Sequence, residues 1–237
     1  HAGQDAAHAP NLPRVAALVR EVGADVVLLQ EVDRGTRRSG GVDQPATLRR
    51  LTGYEVAFGK TLDFDGGEYG IAILSRWPIA RDTLVRLPGD QPQDGAGDTH
   101  EPRGALLATI SAPGGAITVI DTHLDQSRDD RWRRQELRAI VALADSARRD
   151  GTVRAILVGG DFNSTPESEV HAAALRAGLR DAWAVCGSGD GFTFPADSAV
   201  KRIDYLYLTG DAGCREARVV PADASDHRPV LVRVTLP

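Results

Sequence analysis

Val26-Val27-Leu28-Leu29-Gln30-Glu31 is the stretch from which the fold of this chain is read. Four apolar residues in succession, β-branched at the start, leave no polar face, the pattern of a strand covered on both sides. The run ends in an amide and a carboxylate. Upstream, Asn11, Leu12 and Pro13 open a helix, and Val15, Leu18, Val19 and Val22 continue at helical spacing until Gly23 stops it. A helix leading into a doubly covered strand is a unit of a layered α/β domain.

The pattern recurs along the chain. Strands are expected at residues 54–58, 69–75, 104–110, 116–122, 154–158, 202–208 and 229–234, with helices at 44–51, 128–148 and 167–177. In helix 128–148, Leu137, Ile140, Val141 and Ala144 form one apolar stripe and leave Arg133, Arg134 and Arg148 on the outer surface. Ala112-Pro113-Gly114-Gly115 is turn chemistry, so residues 104–122 form an antiparallel hairpin. Hairpins among helices argue for mixed sheets with helices outside. Residues 89–101, rich in Asp, Gly, Gln and Pro, read as a surface loop rather than a linker. With 237 residues, 42% of them hydrophobic, one domain over residues 1–237 is expected.

Composition narrows the function classes. No apolar run approaches the roughly 20 residues that span a bilayer, so no integral membrane segment is expected. The net charge of -5 lacks the basic surplus of a nonspecific nucleic-acid binder, although acids gathered around a cation would give the same sign. Cys186 and Cys214 have no zinc spacing; a disulfide and two buried thiols both fit them. The chain opens at His1 with no methionine and no leader, which places its native start upstream and leaves the compartment open. Lys60 and Lys201 are the only lysines among many arginines, as GC-rich bacterial coding would produce.

Five polar clusters follow apolar strands: Gln30 with Glu31, Thr122 with His123, residues 160–163, Asp204, and Ser225-Asp226-His227. Open α/β sheets gather active sites at strand ends. Each cluster alone has a bland reading: Glu31 as a surface acid, Asp161 and Asn163 as an Asx turn, His227 as a structural histidine. Asp204 is more telling, because it shares a strand face with Leu206 and Leu208, and a carboxylate on a core-facing row needs a partner. His227 is the candidate, since a carboxylate that accepts from an imidazole fixes its tautomer. Oxygen ligands and histidines without thiolates suit Mg²⁺ or Mn²⁺. The signatures of serine hydrolases, zinc proteases, phosphate-loop NTPases and dinucleotide binders are absent.

Taken in order, LLQEVD (28–33), ILSRWPI (73–79), THL (122–124), GGDFNSTP (159–166), RIDYLYL (202–208) and SDHRPV (225–230) resemble the endonuclease/exonuclease/phosphatase family, which includes deoxyribonuclease I. The resemblance covers essentially the whole chain. It implies a deoxyribonuclease I-like, four-layer α/β/β/α sandwich of two mixed sheets with the active site at one edge. It further implies Glu31 and Asp226 as metal residues, with Mg²⁺ as the cation and Mn²⁺ as its substitute. By the same match His227, oriented by Asp204, activates water; Asp161 and Asn163 position the nucleophile and phosphate; and His123 stabilises developing charge. Arg103 and Tyr69 are read as structural residues near the pocket.

One departure concerns the start of the chain. Relatives carry an asparagine on their first strand, near an Asn-x-His motif, and His1-Ala2-Gly3 resembles the tail of that motif. The asparagine and the native first strand are therefore expected upstream of residue 1. The favoured function is a metal-dependent phosphoester hydrolase, a phosphodiesterase acting as a monomer on a small-molecule or lipid substrate. An endonuclease or exonuclease of the same fold is the alternative, with nucleic acid as partner, and a noncatalytic binding module is the second alternative. Loops 34–44, 63–69, 89–103 and 186–200, which would set the substrate, carry no readable code.

Overall fold

The computed structural model describes residue 3, residues 11–89 and residues 101–237. Most of the surface loop expected at 89–101, and the His1-Ala2 part of the N-terminal motif, lie outside these residues. In chain order the elements are α1 (Leu12–Val22), β1 (Val26–Arg34), α2 (Gln44–Thr52), β2 (Glu55–Phe64), β3 (Gly67–Ser75), β4 (Ile79–Arg86), β5 (Gly104–Ala112) and β6 (Gly115–His123). There follow α3 (Arg131–Asp150), β7 (Ala155–Asp161), α4 (Glu169–Arg176), β8 (Arg180–Asp181), α5 (Ala182–Cys186), β9 (Asp204–Leu208), β10 (Gly213–Val219) and β11 (Val230–Thr235).

The helices begin and end where local chemistry dictates. Pro13 sits in the first turn of α1, and Gly23 closes it in the left-handed conformation at φ 64°. The Asp43 side chain accepts from the Ala46 amide to cap α2, and Ser168 does the same for α4 through His171 N. The expected hairpin is β5–β6, closing with Ala112 opposite Gly115.

Six strands form a mixed sheet in the order β4-β5-β6-β7-β9-β8, in which β6 and β7 run parallel. Facing it lie the antiparallel β1-β3-β2 sheet and the β10–β11 pair. Between them Ile71 and Ile73 of β3 pack with Leu106, Ile110, Val119, Leu157 and Leu208, joined by Val232 and Val234 of β11. On the far side of the six-stranded sheet, Ile120, Val158, Tyr205 and Tyr207 meet Leu137 and Ile140 of α3 and Val170 of α4. On the far side of the opposing layer, Val32, Ala72 and Leu74 meet Ala16 and Val19 of α1 and Leu48 of α2. The layers therefore run α/β/β/α, and each sheet face is covered by apolar surface whose burial stabilises at about 25 cal/mol per Å².

Several elements depart from the sequence expectations. The strands β4, β8 and β10 and the short helix α5 were not expected. Among them β4 (IARDTLVR) and β10 (GCREARV) are mixed in polarity, because hydrogen-bonded ladders rather than two apolar faces hold them. β1 is covered on both faces, with Val26 and Leu28 in the core between the sheets and Val27 and Leu29 in the cluster under α1 and α2, but all four are only half-buried. It is an edge strand, and among the described residues no strand pairs with its outer edge or with that of β11. Arg133 is buried rather than on the outer surface of α3, because its guanidinium donates to the carbonyls of Asp125 at 2.9 Å and Ser127 at 2.5 Å and pairs with Asp130. Cys186 and Cys214 form a disulfide with Cα atoms 5.8 Å apart, joining α5 to β10. Among the described residues no helix is long and apolar enough to cross a membrane.

Candidate active site

Strand register brings three of the expected residues into one row. His123 at the end of β6 is in register with Asp161 at the end of parallel β7, and Asp161 is opposite Asp204 at the start of antiparallel β9. Gly160 makes this alignment feasible: at φ 133°, its Cβ would lie 1.9 Å from Thr122 O, so only glycine lets β7 pass β6 there. His227, from the turn before β11, reaches over the row.

Glu31 arrives from the opposing sheet by a different device. The β1–β3 register pairs Leu29 with Ala72 and then Val32 with Gly70, so Gln30 and Glu31 form a bulge. Glu31 has φ 56°, a left-handed conformation that is costly outside glycine. Asn163 has φ 48°, and so two of the three non-glycine residues with positive φ among the described residues are expected site residues. Backbone strain of this kind concentrates at functional positions.

Glu31, His123, Asp161, Asp204, Asp226 and His227 line one cleft of about 160 Å³, whose apolar wall includes Leu28, Leu29 and Val32. Asn163 is the exception. Its amide N–H donates to Asp161 Oδ1 at 2.7 Å and its side-chain Nδ2 donates to Leu124 O at 2.9 Å, which places it behind Asp161 rather than on the cleft wall. His227 Nδ1 lies 2.9 Å from Asp204 Oδ2, and its Nε2 lies 4.0 Å from Asp161 Oδ2. His123 Nε2 is 3.6 Å from the same Asp161 oxygen, beyond hydrogen-bond length. The Phe194 ring stands 4.8 Å from the His227 ring, and Ser225 Oγ accepts from His227 N at 3.2 Å.

The charges are out of balance. Burial, and next the charge of Asp204, lift the Asp161 carboxyl to about 7. Burial would lower His227, but its hydrogen bond to Asp204 and the charges of Asp204, Asp161 and Asp226 outweigh that and raise it to about 9. Burial foremost, with the Arg103 and His227 charges, pushes His123 well below the usual imidazole range, leaving it neutral with a buried Nδ1 that has no hydrogen-bond partner among the described residues. Among the described residues, four carboxylates, Glu31, Asp161, Asp204 and Asp226, line this cleft against the two imidazoles of His123 and His227.

That imbalance fits a hard divalent cation. One ligand atom each from Asp161, Asp204 and His227 lies within 4.8 Å of the others, and the Glu31 and Asp226 carboxylates line the same cleft. Oxygen donors with one imidazole suit such an ion better than a thiophile.

Supporting residues were harder to see in sequence. Gln30 Nε2 donates to the fully buried Asp121 Oδ1 at 2.6 Å, tying the bulge to β6; the available signal was that Asp121 shares a strand face with His123. Behind His123, Glu136 Oε2 accepts from Asp125 N at 2.9 Å, an α3-to-loop contact that no local pattern announces.

Known proteins share this fold. The chain is 29% identical over 239 aligned residues to the uncharacterized protein YbhP of Escherichia coli, covering 95% of this chain and 88% of that protein. Among solved structures, an endonuclease/exonuclease/phosphatase from Beutenbergia cavernae superposes with TM-score 0.84 at 24% identity, covering 100% of this chain and 69% of that one. The mannosyl-6-phosphatase Bt3783 of Bacteroides thetaiotaomicron gives TM-score 0.79 at 19% identity, covering 95% and 90%. The human Nocturnin catalytic domain gives 0.70 at 17%, covering 95% and 87%. The model of the Endonuclease/Exonuclease/phosphatase family matches residues 6–227, and the chain belongs to that family.

Proposed function

We propose that the chain is a divalent-metal-dependent phosphoester hydrolase, with Mg²⁺ as its cation and a small-molecule or lipid phosphodiester as its substrate. The observation that carries this reading is the convergence of Glu31, His123, Asp161, Asp204, Asp226 and His227 on one cleft. The cation would be held by Glu31 and Asp226 with Asp161 beside them, and would polarise a phosphoryl oxygen while offsetting the acidic charge.

The protein groups perform the rest. Asp204 accepts the Nδ1–H of His227 and so directs Nε2 toward Asp161. A water oxygen about 2.8 Å from both Nε2 and the Asp161 carboxylate is compatible with their 4.0 Å separation, so this pair orients the nucleophile; the charge of a bound cation would bring His227 down from about 9 and free Nε2 to take the water's proton. Attack in line forms the new P–O bond as the ester P–O bond breaks, and the leaving oxygen gains a proton. Neutral His123 donates to the phosphoryl oxygen as charge develops. Asn163 braces Asp161 from behind.

The net charge of -5 supports a substrate smaller than nucleic acid. Purified protein should hydrolyse bis(p-nitrophenyl) phosphate, and release product from sphingomyelin or phosphoinositides, only with Mg²⁺ or Mn²⁺. Plasmid nicking that falls steeply with salt would favour the nuclease reading, activity confined to p-nitrophenyl phosphate a monoesterase. Absence of any metal-dependent turnover would favour a binding module.

A further inference from the structure

Away from the catalytic cleft lies an open surface cavity, of about 360 Å³, that shares no lining residue with it. Trp183, Phe192, Arg218 and Arg228 line it, and no carboxylate does so among the described residues. Its volume lies in the ~300–1,000 Å³ range of small-molecule sites.

The aromatic wall is rigidly built. Trp183 belongs to α5 and Arg218 to β10, the two elements that the Cys186–Cys214 disulfide joins. The indole is gripped by the turn that follows it: a Cβ on Gly187 or Gly191 would come within 2.6 or 2.5 Å of the ring, and Nε1 donates to Gly189 O at 3.1 Å. Phe192, on the same lining, keeps 37% of its surface exposed.

The cationic wall is underused. Arg228 is half-buried and spends Nε on Ala196 O at 2.6 Å, and no carboxylate lies within ion-pair distance of it among the described residues. Arg218 meets Glu216 at 3.3 Å, but that carboxylate is shared with Arg233 at 3.0 Å. Two guanidiniums beside two aromatic rings, with no acid lining the space, match a flat ring carrying an oxyanion.

We propose that this cavity is a second ligand site, which takes an anionic aromatic small molecule of the nucleoside monophosphate class. The ring lies against Trp183 and Phe192, and the phosphate meets Arg218 and Arg228. The site adjoins the catalytic turn through the backbone: Arg228 N donates to Thr193 O at 2.8 Å, Ala196 N donates to Asp226 O at 2.7 Å, and Arg228 follows His227 directly. Its existence does not rest on the phosphoesterase reading, because it is read by binding alone.

The test is an AMP titration of the full chain in EDTA, followed by tryptophan fluorescence and by calorimetry, with adenosine and inorganic phosphate as separate arms. AMP should quench saturably, Trp183→Phe should remove the quenching, and Arg218→Ala should weaken binding about tenfold, the scale of one charge-assisted hydrogen bond. Arg228→Lys, which keeps charge and loses the planar fork, should weaken it too, and His123→Ala, in the catalytic cleft, should leave AMP affinity unchanged. Thermal melts separate folding from binding, and exposed Arg218 carries the test if the Arg228 variant melts early. The proposal is overturned by AMP that fails to saturate in the millimolar range, by affinity indifferent to Arg218→Ala, or by binding lost in His123→Ala, which would place AMP in the catalytic cleft.

Discussion

Nδ1 of His227 lies 2.9 Å from Oδ2 of Asp204, although 23 residues separate them in the chain. The Asp204 position is set by β9 pairing with β7, and the His227 position by the turn that leads into β11. The pair therefore exists only when both layers of the sandwich are assembled.

Asp204→Asn should lower kcat by roughly 10²–10⁴, the range for a mispositioned general base, with less effect on KM. It should also bring the His227 pKa down from about 9 toward its ordinary range. Because the folded pKa is raised, this interaction contributes full stability below the unfolded value of about 6.5 and loses it as pH rises through about 9. NMR titration of the imidazole in cation-free buffer reads the shift; an unmoved pKa would refute the assignment of Asp204 as its cause.

Asp161→Asn and His227→Ala should each reduce turnover at least ~100-fold while the protein stays folded. Circular dichroism melts run beside the assays distinguish lost chemistry from lost structure. Retention of most activity in either variant would remove that residue from the proposed mechanism.

Addition of Mg²⁺ should raise the melting temperature of the native sequence, and Glu31→Gln should blunt the rise. At one hundred times Kd the gain is about 2.7 kcal/mol for a ligand that binds only the folded state. An equal rise in both proteins would count against Glu31 as a metal residue.

Glu136 offers a test of buried charge beyond the cleft wall. Burial raises its pKa to about 7, against the Asp125 amide that lowers it. The folded state thus holds the proton more tightly than the unfolded one, so the carboxylate destabilises increasingly as pH rises from its ordinary range through about 7. Glu136→Gln should stabilise the protein by about 1 kcal/mol or more at pH 8, and the gain should vanish near pH 4. Urea midpoints at the two pH values check the sign.

Gly160→Ala should destabilise by about 3 kcal/mol or more, since the added methyl meets the Thr122 carbonyl in a backbone conformation reserved for glycine. Activity should fall further than stability, because Asp161 is displaced with the strand. A variant as stable and active as the parent would show that β7 can pass β6 in some other way.

The sequence alone determined a good deal. Chain order, helix stops at Gly23 and the 104–122 hairpin followed from local rules of capping, turn chemistry and periodicity, which act over a few residues. The clusters at Glu31, His123, Asp161, Asp204 and His227 were visible for the same reason: each follows or interrupts an apolar run. Only the tertiary structure decided how they meet. The bulge that aims Glu31 arises from pairing with β3, the row from His123 to Asp204 arises from register across three strands, and Asn163 turns its amide to Leu124. Edge strands β4 and β10 and buried Arg133 escaped the sequence reading because their places depend on partners far along the chain, and a hydrogen bond or ion pair to a distant segment leaves no periodic trace.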